Sequence, residues 1–199
     1  MTTTIIELLR HGQVEGDDVF RGSTDIPLSD MGWDQMNNAI PSHAAWDIVV
    51  SSPLLRCQEF AESLIQNSNI PLVLEPQLQE IDFGNWEACS PDEVIKTDAE
   101  RLQQWWDKPT EVTPPEGESF HHFRYRVLEC WQELLDEYKG QKLLLITHAG
   151  VIRIILMKIL GMQEENLFRL DVDYANLSRI RIHHDETGDW ASLLSHGST

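Results

Sequence analysis

Lys142-Leu143-Leu144-Leu145-Ile146-Thr147 runs straight into His148-Ala149-Gly150. Four consecutive apolar residues leave no polar face, and the run is short. That suits a central β-strand buried on both sides. Val151 to Leu160 follows, apolar nearly all round and stopped by Gly161, which reads as a buried helix. The pattern occurs once more near the N-terminus. Thr4 to Leu9 is a second short strand, and it stops abruptly at Arg10-His11-Gly12. Two buried strands that each end on histidine, with helices between, indicate an α/β sheet covered on both faces.

The rest of the chain fits that frame. A polar loop with Gly16, Gly22 and Pro27 leads to Ser29, which can cap a helix from about Asp30 to Ile40. Asp47 to Val50 is a strand. Ser52-Pro53 reads as an N-cap followed by proline at the first helical position, and the helix runs to about Gln66 on a stripe of Leu54, Cys57, Ala61, Leu64 and Ile65. Pro71 to Leu74 is a third candidate strand. Residues 76–118 hold Trp86, Trp105, Trp106, many acids, and Pro91, Pro109, Pro114 and Pro115, and read as an insertion of short helices and loop. A long amphipathic helix spans about Ser119 to Tyr138, with Gly140 at C′. Leu177 to Ile182 alternates as a strand. Asp185 to Asp189 is a turn, and Trp190 to Leu194 pairs back as a hairpin. The expected organisation is one domain over residues 1–199 with a helical insertion at about 76–118.

Composition narrows the function classes. With 15 Lys and Arg against 33 Asp and Glu, the formal charge is −18, which disfavours nucleic acid and anionic membranes as partners. No apolar run has membrane-spanning length, and Met1-Thr2-Thr3-Thr4 lacks the basic start of a secretion signal. Cys57, Cys89 and Cys130 are odd in number and widely spaced. This argues against a disulfide framework or zinc knuckle and fits a reducing cytoplasm. Monomer and homodimer both remain open. The acid is concentrated in the middle of the chain: residues 75–118 carry twelve acids and three bases. Any anionic ligand therefore needs a local cationic pocket that works against the field of the molecule.

Such a pocket is legible. His11 and His148 each follow a strand at its carboxyl end, the edge where open α/β sheets bind ligands. Arg10 adjoins His11. Arg56 lies in a first helical turn, off the apolar stripe, where unpaired N–H groups and the helix dipole favour anions. Two guanidiniums, two imidazoles and exposed amides describe a site for a compact oxyanion such as phosphate. The arginines also disfavour imidazolium, so the histidines stay neutral near pH 7, and neutral imidazole is a nucleophile. No metal is needed for this chemistry, and no residues show metal-ligand spacing.

Six blocks in order resemble the histidine phosphatase superfamily, the phosphoglycerate-mutase-like proteins. Leu9-Arg10-His11-Gly12 resembles the opening signature, and residues 20–29 resemble the loop ending in Pro-Leu-Ser. Ser51-Ser52-Pro53-Leu54-Leu55-Arg56 is similar to the segment with the second pocket arginine. Glu80-Ile81-Asp82-Phe83-Gly84-Asn85-Trp86-Glu87 resembles the acid-bearing loop. Gly117-Glu118-Ser119 precedes the long helix, and Thr147-His148-Ala149-Gly150 resembles the second histidine motif. The resemblance implies a three-layer fold with a mostly parallel sheet and helices on both faces. It implies a metal-independent, cofactor-free phosphatase for small phosphorylated substrates. His11 would be the phosphorylated nucleophile, with Arg10, Arg56, His148 and Ala149 around the phosphoryl group. Glu80 would be the general acid, with Asp82 as its competitor. The chain departs from the pattern after Gly12, where Gln13-Val14-Glu15-Gly16-Asp17 lacks the usual phosphate-binding asparagine. Gln13, Arg21 and Thr24 are the candidate substitutes. Within the family, the Glu80–Glu87 stretch is most similar to the α-ribazole 5′-phosphate phosphatase branch of cobalamin biosynthesis. A broad-specificity phosphatase or a mutase of the same fold is the nearer alternative, and a phospho-ligand binding protein without turnover the more distant one.

Other features read as ordinary. His183-His184 suits a solvated strand end, and His121-His122 the polar side of a helix. Trp105 and Trp106 either pack the insertion onto the domain or cover a flat substrate group.

Overall fold

The computed structural model describes residues 2–42, 44–186 and 188–197. Its elements are β1 (Thr2–Arg10), α1 (Asp30–Ala39), β2 (Ile48–Ser51), α2 (Leu55–Ile65), β3 (Leu72–Leu74), α3 (Pro91–Asp107), α4 (Phe120–Glu137), β4 (Lys142–Thr147), α5 (Ala149–Leu160), β5 (Leu177–Asp185) and β6 (Gly188–Ser195). Among the described residues the strands form one six-stranded sheet in the order β3-β2-β4-β1-β5-β6. The first four strands in that order pair in parallel, and β5 and β6 are antiparallel additions at one edge. The expected three-layer α/β architecture is therefore present.

Strand β4 holds the middle. Its alternating side chains enter two cores. Leu143 and Leu145 pack with Ile6, Leu8, Val127 and Ile155 under α4 and α5. Leu144 and Ile146 pack with Leu9, Val49, Met36 and Phe60 under α1 and α2. All four are wholly buried. Removing each from water stabilises the fold by roughly 1.5–3 kcal/mol, so the position of β4 is strongly fixed. A third, smaller core joins Trp86, Val94 and Leu102 to Phe20, Phe83 and Trp105. It attaches α3 to the loop after β1.

Several local expectations need correction. Ser52-Pro53 does not cap α2. Leu54 is the N-cap and has no polar side chain to cap with; the Leu55 N–H donates to Asp25 Oδ1 at 2.7 Å, and the Ser52 hydroxyl serves both His148 and the Leu54 N–H. Helix α5 begins at Ala149, directly after His148, two residues earlier than its apolar run suggests. The segment 76–118 holds a 17-residue helix, α3, with a full capping box at Ser90 and Glu93 and a kink at Asp98. Gly140 lies one position beyond C′, since Tyr138 is the C-cap of α4. His184 is not solvated: it is 3% exposed, with one ring nitrogen 2.7 Å from the Thr4 hydroxyl and the other 2.7 Å from Asp189. Strand β5 simply continues past Ile182, where its alternation turns His184 inward. Within the expected turn, Thr187 lies outside the described residues.

Candidate active site

Strand register creates the site. Strands β1 and β4 are parallel neighbours, and Arg10 stands opposite Thr147. The next residue of each chain segment is a histidine, so His11 and His148 leave the sheet side by side. The His11 N–H donates to the Thr147 carbonyl at 3.0 Å. Their ring centroids are 5.2 Å apart. Gly12 makes the path after His11 possible, because a Cβ there would stand 2.2 Å from the Gly32 carbonyl oxygen in the first turn of α1.

The tautomer of His11 follows from its partner. Nδ1 lies 2.8 Å from the Gly12 carbonyl oxygen, which can only accept. The proton therefore sits on Nδ1, and the Nε2 lone pair is free. Burial, then Arg56 and then Arg10, holds the His11 pKa well below the ordinary imidazole range. In His148 the assignment is reversed. Arg56 Nε donates to Nδ1 at 3.2 Å, so the proton belongs on Nε2, 2.8 Å from Ser52 Oγ. Burial, Arg56, His11 and Arg10 push the His148 pKa well down too. The site thus keeps two neutral imidazoles beside two guanidiniums.

The guanidiniums are held rigidly. Arg56 is 1% exposed and also donates to the carbonyls of Thr24 at 2.8 Å and Gly22 at 2.7 Å. Arg10 donates to the Val172 carbonyl at 2.6 Å and lies 4.1 Å from the ring centroid of Tyr174. Its Nε is buried and has no partner among the described residues. A buried donor of this kind calls for a ligand or water as its acceptor.

Glu80 reaches the same edge from the loop after β3. Its two carboxyl oxygens accept from Ile81 N at 3.1 Å and from Gly150 N at 3.0 Å. Gly150 is the second residue of α5, so its N–H lacks an intrahelical acceptor. A Cβ there would lie 2.3 Å from a Glu80 carboxyl oxygen, so any other residue at position 150 would displace that carboxyl. Asp82 is placed differently. It accepts from Ser23 Oγ at 3.1 Å and Gly84 N at 2.8 Å, and so holds a turn. Glu87 is the anchor of the adjacent loop, accepting from the N–H groups of Gly22, Ser23, Thr24 and Phe83.

The three candidates for the missing asparagine contact are distributed unevenly. The Thr24 hydroxyl donates to Glu87. Arg21 donates to the carbonyls of Glu15 and Asp17, and its charge helps to keep His11 neutral. Gln13 has its backbone fixed by Gln35 and Ser29 next to the His11–Gly12 turn. Ala149, 8% exposed, opens α5 beside His148. Glu80 also borders a cavity of about 80 Å³ that Phe83, Trp105, Phe168 and Arg153 help to line. Trp105 therefore packs among Phe20, Phe83, Trp86 and Phe168 and faces that cavity as well. Trp106 is 45% exposed.

A thiol route is disfavoured by the same geometry. Cys57 Sγ lies 3.8 Å from His148 Nε2, but burial raises its pKa to about 12. It stays a thiol, and the thiolate is the reactive form.

Residues 6–191 match the histidine phosphatase superfamily, branch 1, and the chain belongs to that family. It is a phosphatase of phosphoglycerate-mutase-like fold. The chain is 28% identical over 180 residues to the adenosylcobalamin/alpha-ribazole phosphatase of Escherichia coli, covering 88% of this chain and 89% of that protein. The structure of the alpha-ribazole phosphatase from Shigella flexneri superposes with a TM-score of 0.85 at 28% identity, covering 98% of this chain and 96% of that one. A bifunctional protein of Mycobacterium tuberculosis is 33% identical over 189 residues; the match covers 92% of this chain but 52% of that protein, so the chain spans about half its length.

Two neutral buried histidines also affect folding. The unfolded chain takes up protons on both imidazoles below about pH 6.5, whereas the folded chain does not. Their contribution is therefore fully present above pH 6.5 and is lost as pH falls. The limit is about 1.4 kcal/mol per pH unit for each histidine. Urea midpoints at pH 7.5 and 5.5 should fall closer together in His11→Asn than in the native chain. An unchanged gap would mean that His11 is protonated in the folded state.

Proposed function

We propose that the protein hydrolyses phosphomonoesters through a phosphohistidine on His11, without a metal. The observation that carries this reading is the bare Nε2 of a neutral His11 between Arg10 and Arg56. In the first step Nε2 attacks phosphorus, the ester P–O bond breaks, and the Glu80 carboxylic acid gives its proton to the departing oxygen. The new imidazolium keeps its Nδ1–H on the Gly12 carbonyl. In the second step Glu80, now a carboxylate, removes a proton from water as the water oxygen attacks phosphorus. The N–P bond breaks, and phosphate leaves. Arg10 and Arg56 neutralise and orient the transferring group, and His148, held between Arg56 and Ser52, lines the pocket beside it. Ala149 at the start of α5 and Gln13 after Gly12 complete the cradle. Arg21 acts through charge and Thr24 through loop structure. Residues 1–199 act as one domain, with segment 76–118 as a wall of the site.

The substrate that fits best is α-ribazole 5′-phosphate, a flat aromatic base on a ribose phosphate. Two phosphatase relatives named for α-ribazole support it, as does the aromatic wall of Phe83, Trp105 and Phe168 beside Glu80. Twelve acids in residues 75–118 weigh against substrates with several phosphates. Arg153 on the same cavity favours a second reading, an ester with a carboxylate such as 3-phosphoglycerate. A phosphomonoester panel in EDTA tests both. We expect higher kcat/KM for α-ribazole 5′-phosphate than for 3-phosphoglycerate or fructose 2,6-bisphosphate. Trp105→Ala should lose that preference more than it loses p-nitrophenyl phosphate hydrolysis. If phosphoglycerate or the bisphosphate leads, the cobalamin-pathway assignment fails while the phosphohistidine mechanism stands. If no ester turns over, the protein is a binder.

A further inference from the structure

The loop that delivers Glu80 is held almost entirely by side chains from elsewhere. After the short 3-10 turn Pro76–Leu78, residues 79–82 have no regular structure. Yet the four consecutive carbonyls of residues 77–80 accept hydrogen bonds from side chains. Gln77 and Gln79 accept from Arg126 Nη1 at 2.7 and 2.9 Å, and Glu80 accepts from Arg126 Nη2 at 3.0 Å. Leu78 accepts from the Thr147 hydroxyl at 2.7 Å, one residue before His148. Arg126 is itself fixed by Glu118, to which Nε and Nη2 each donate at 2.8 Å. The Glu118 N–H in turn donates to the Asp82 carbonyl at 2.8 Å.

All five N–H donors of the Arg126 guanidinium are thus engaged, three on the Glu80 loop and two on Glu118. Its plane also lies 4.8 Å from the ring centroid of Phe123, a buried residue on the cavity that Glu80 borders. A lysine at this place would keep the charge but not the planar fork that reaches three carbonyls and a carboxylate together.

We propose that Arg126 is a positioning residue for proton transfer: it sets where the Glu80 carboxyl stands relative to the departing oxygen. The inference rests on Glu80 acting as the proton donor. Arg126 touches no substrate in this scheme. It acts through the backbone of residues 77–80, while Gly150 N holds the carboxyl itself. A misplacement near 1 Å costs on the order of 10²-fold in a positioned step. In the bond-breaking step the cost should appear only where proton donation limits the rate.

The test compares glycerol 2-phosphate, whose alkoxide needs a proton, with p-nitrophenyl phosphate, whose leaving group does not. R126K and R126M are measured alone and in an E80Q background. Alone, each should lose on the order of 10²-fold in kcat/KM, which reports the bond-breaking step and not the water attack common to both esters, on glycerol 2-phosphate and less than about tenfold on p-nitrophenyl phosphate. In the E80Q background the same changes should add little on the alkyl ester. Equal losses on both esters, or full additivity with E80Q, would overturn the proposal. E80Q alone separates the two levels. Leaving-group selectivity in E80Q without selectivity in the Arg126 variants sinks only the positioning role. No selectivity in E80Q removes the proton donor and the inference with it. Should the Arg126 variants fail to fold, E118Q loosens the guanidinium without removing it, and must show the same selectivity at smaller size. Equal losses on both esters in E118Q would also overturn it.

Discussion

His11→Ala lowers kcat on p-nitrophenyl phosphate by on the order of 10⁴-fold or more, the expected consequence of removing a nucleophile that has no substitute. His148 cannot take over. Its Nδ1 faces the Arg56 Nε–H and its Nε2 faces Ser52, so neither nitrogen offers a free lone pair to phosphorus. Cys57 cannot either, since its thiol is pushed up to about 12. The substitution leaves the backbone pairing of residue 11 with Thr147 and Ala175 in place. Binding of inorganic phosphate should therefore survive through Arg10 and Arg56. Steady-state kinetics together with a phosphate titration checks this. Retained turnover at a tenth of the native rate would show that His11 is not the nucleophile.

Glu80→Gln carries the second large effect. General acid–base assistance is typically worth ~10²–10⁴-fold, and the loss should approach that range for alkyl esters. It should be much smaller for p-nitrophenyl phosphate in the bond-breaking step. Glutamine keeps the shape but offers only one carboxyl-type acceptor where Ile81 N and Gly150 N now find two. Any displacement from that mismatch weakens the same proton transfer, so the selectivity reports the Glu80 carboxyl as donor and not the overall fold of the site. Asp82→Asn should lose activity equally on both, because Asp82 holds the Ser23–Gly84 turn. If Asp82→Asn shows the leaving-group selectivity and Glu80→Gln does not, the acid has been misassigned.

Most of the candidate pocket was legible because it hangs on strands. The apolar run Leu143–Ile146 fixes β4 by burial on both faces, and the resemblance of Arg10-His11-Gly12 and Thr147-His148-Ala149-Gly150 to one family names its two ends. Register then does the rest. Contacts made by loops were not legible. Tyr174 comes over Arg10 from a loop between α5 and β5, with 162 residues of sequence separating Val172 from the Arg10 that bonds to it. No spacing or periodicity carries that signal. Ser52 was misread for a physical reason. Ser-Pro before an apolar stripe is a good capping sequence, but the helix starts at Leu55, whose N–H donates to Asp25 from a loop 30 residues away, while the Ser52 hydroxyl is shared by His148 and the Leu54 N–H. Arg126 sits on the polar side of an amphipathic helix, where an arginine is ordinarily solvated. Only the folded Glu80 loop reveals its partners. Arg153 was missed because Phe168 and Leu170, which hold it at the cavity, come from the segment after α5.

The central claim is a covalent bond between phosphorus and His11 Nε2, and rapid quenching tests it most directly. The Glu80→Gln protein is mixed with p-nitrophenyl phosphate carrying labelled phosphorus. The good leaving group allows the first step, and the lost base slows the second, so the phosphoenzyme accumulates. Label should stay on the protein after alkaline quench and be lost after acid quench, as a phosphoramidate requires. Peptide mapping should place it at His11, and His11→Ala should carry none. Acid-stable label, label on any other residue, or turnover with no protein-bound phosphorus at any time would contradict the phosphohistidine mechanism.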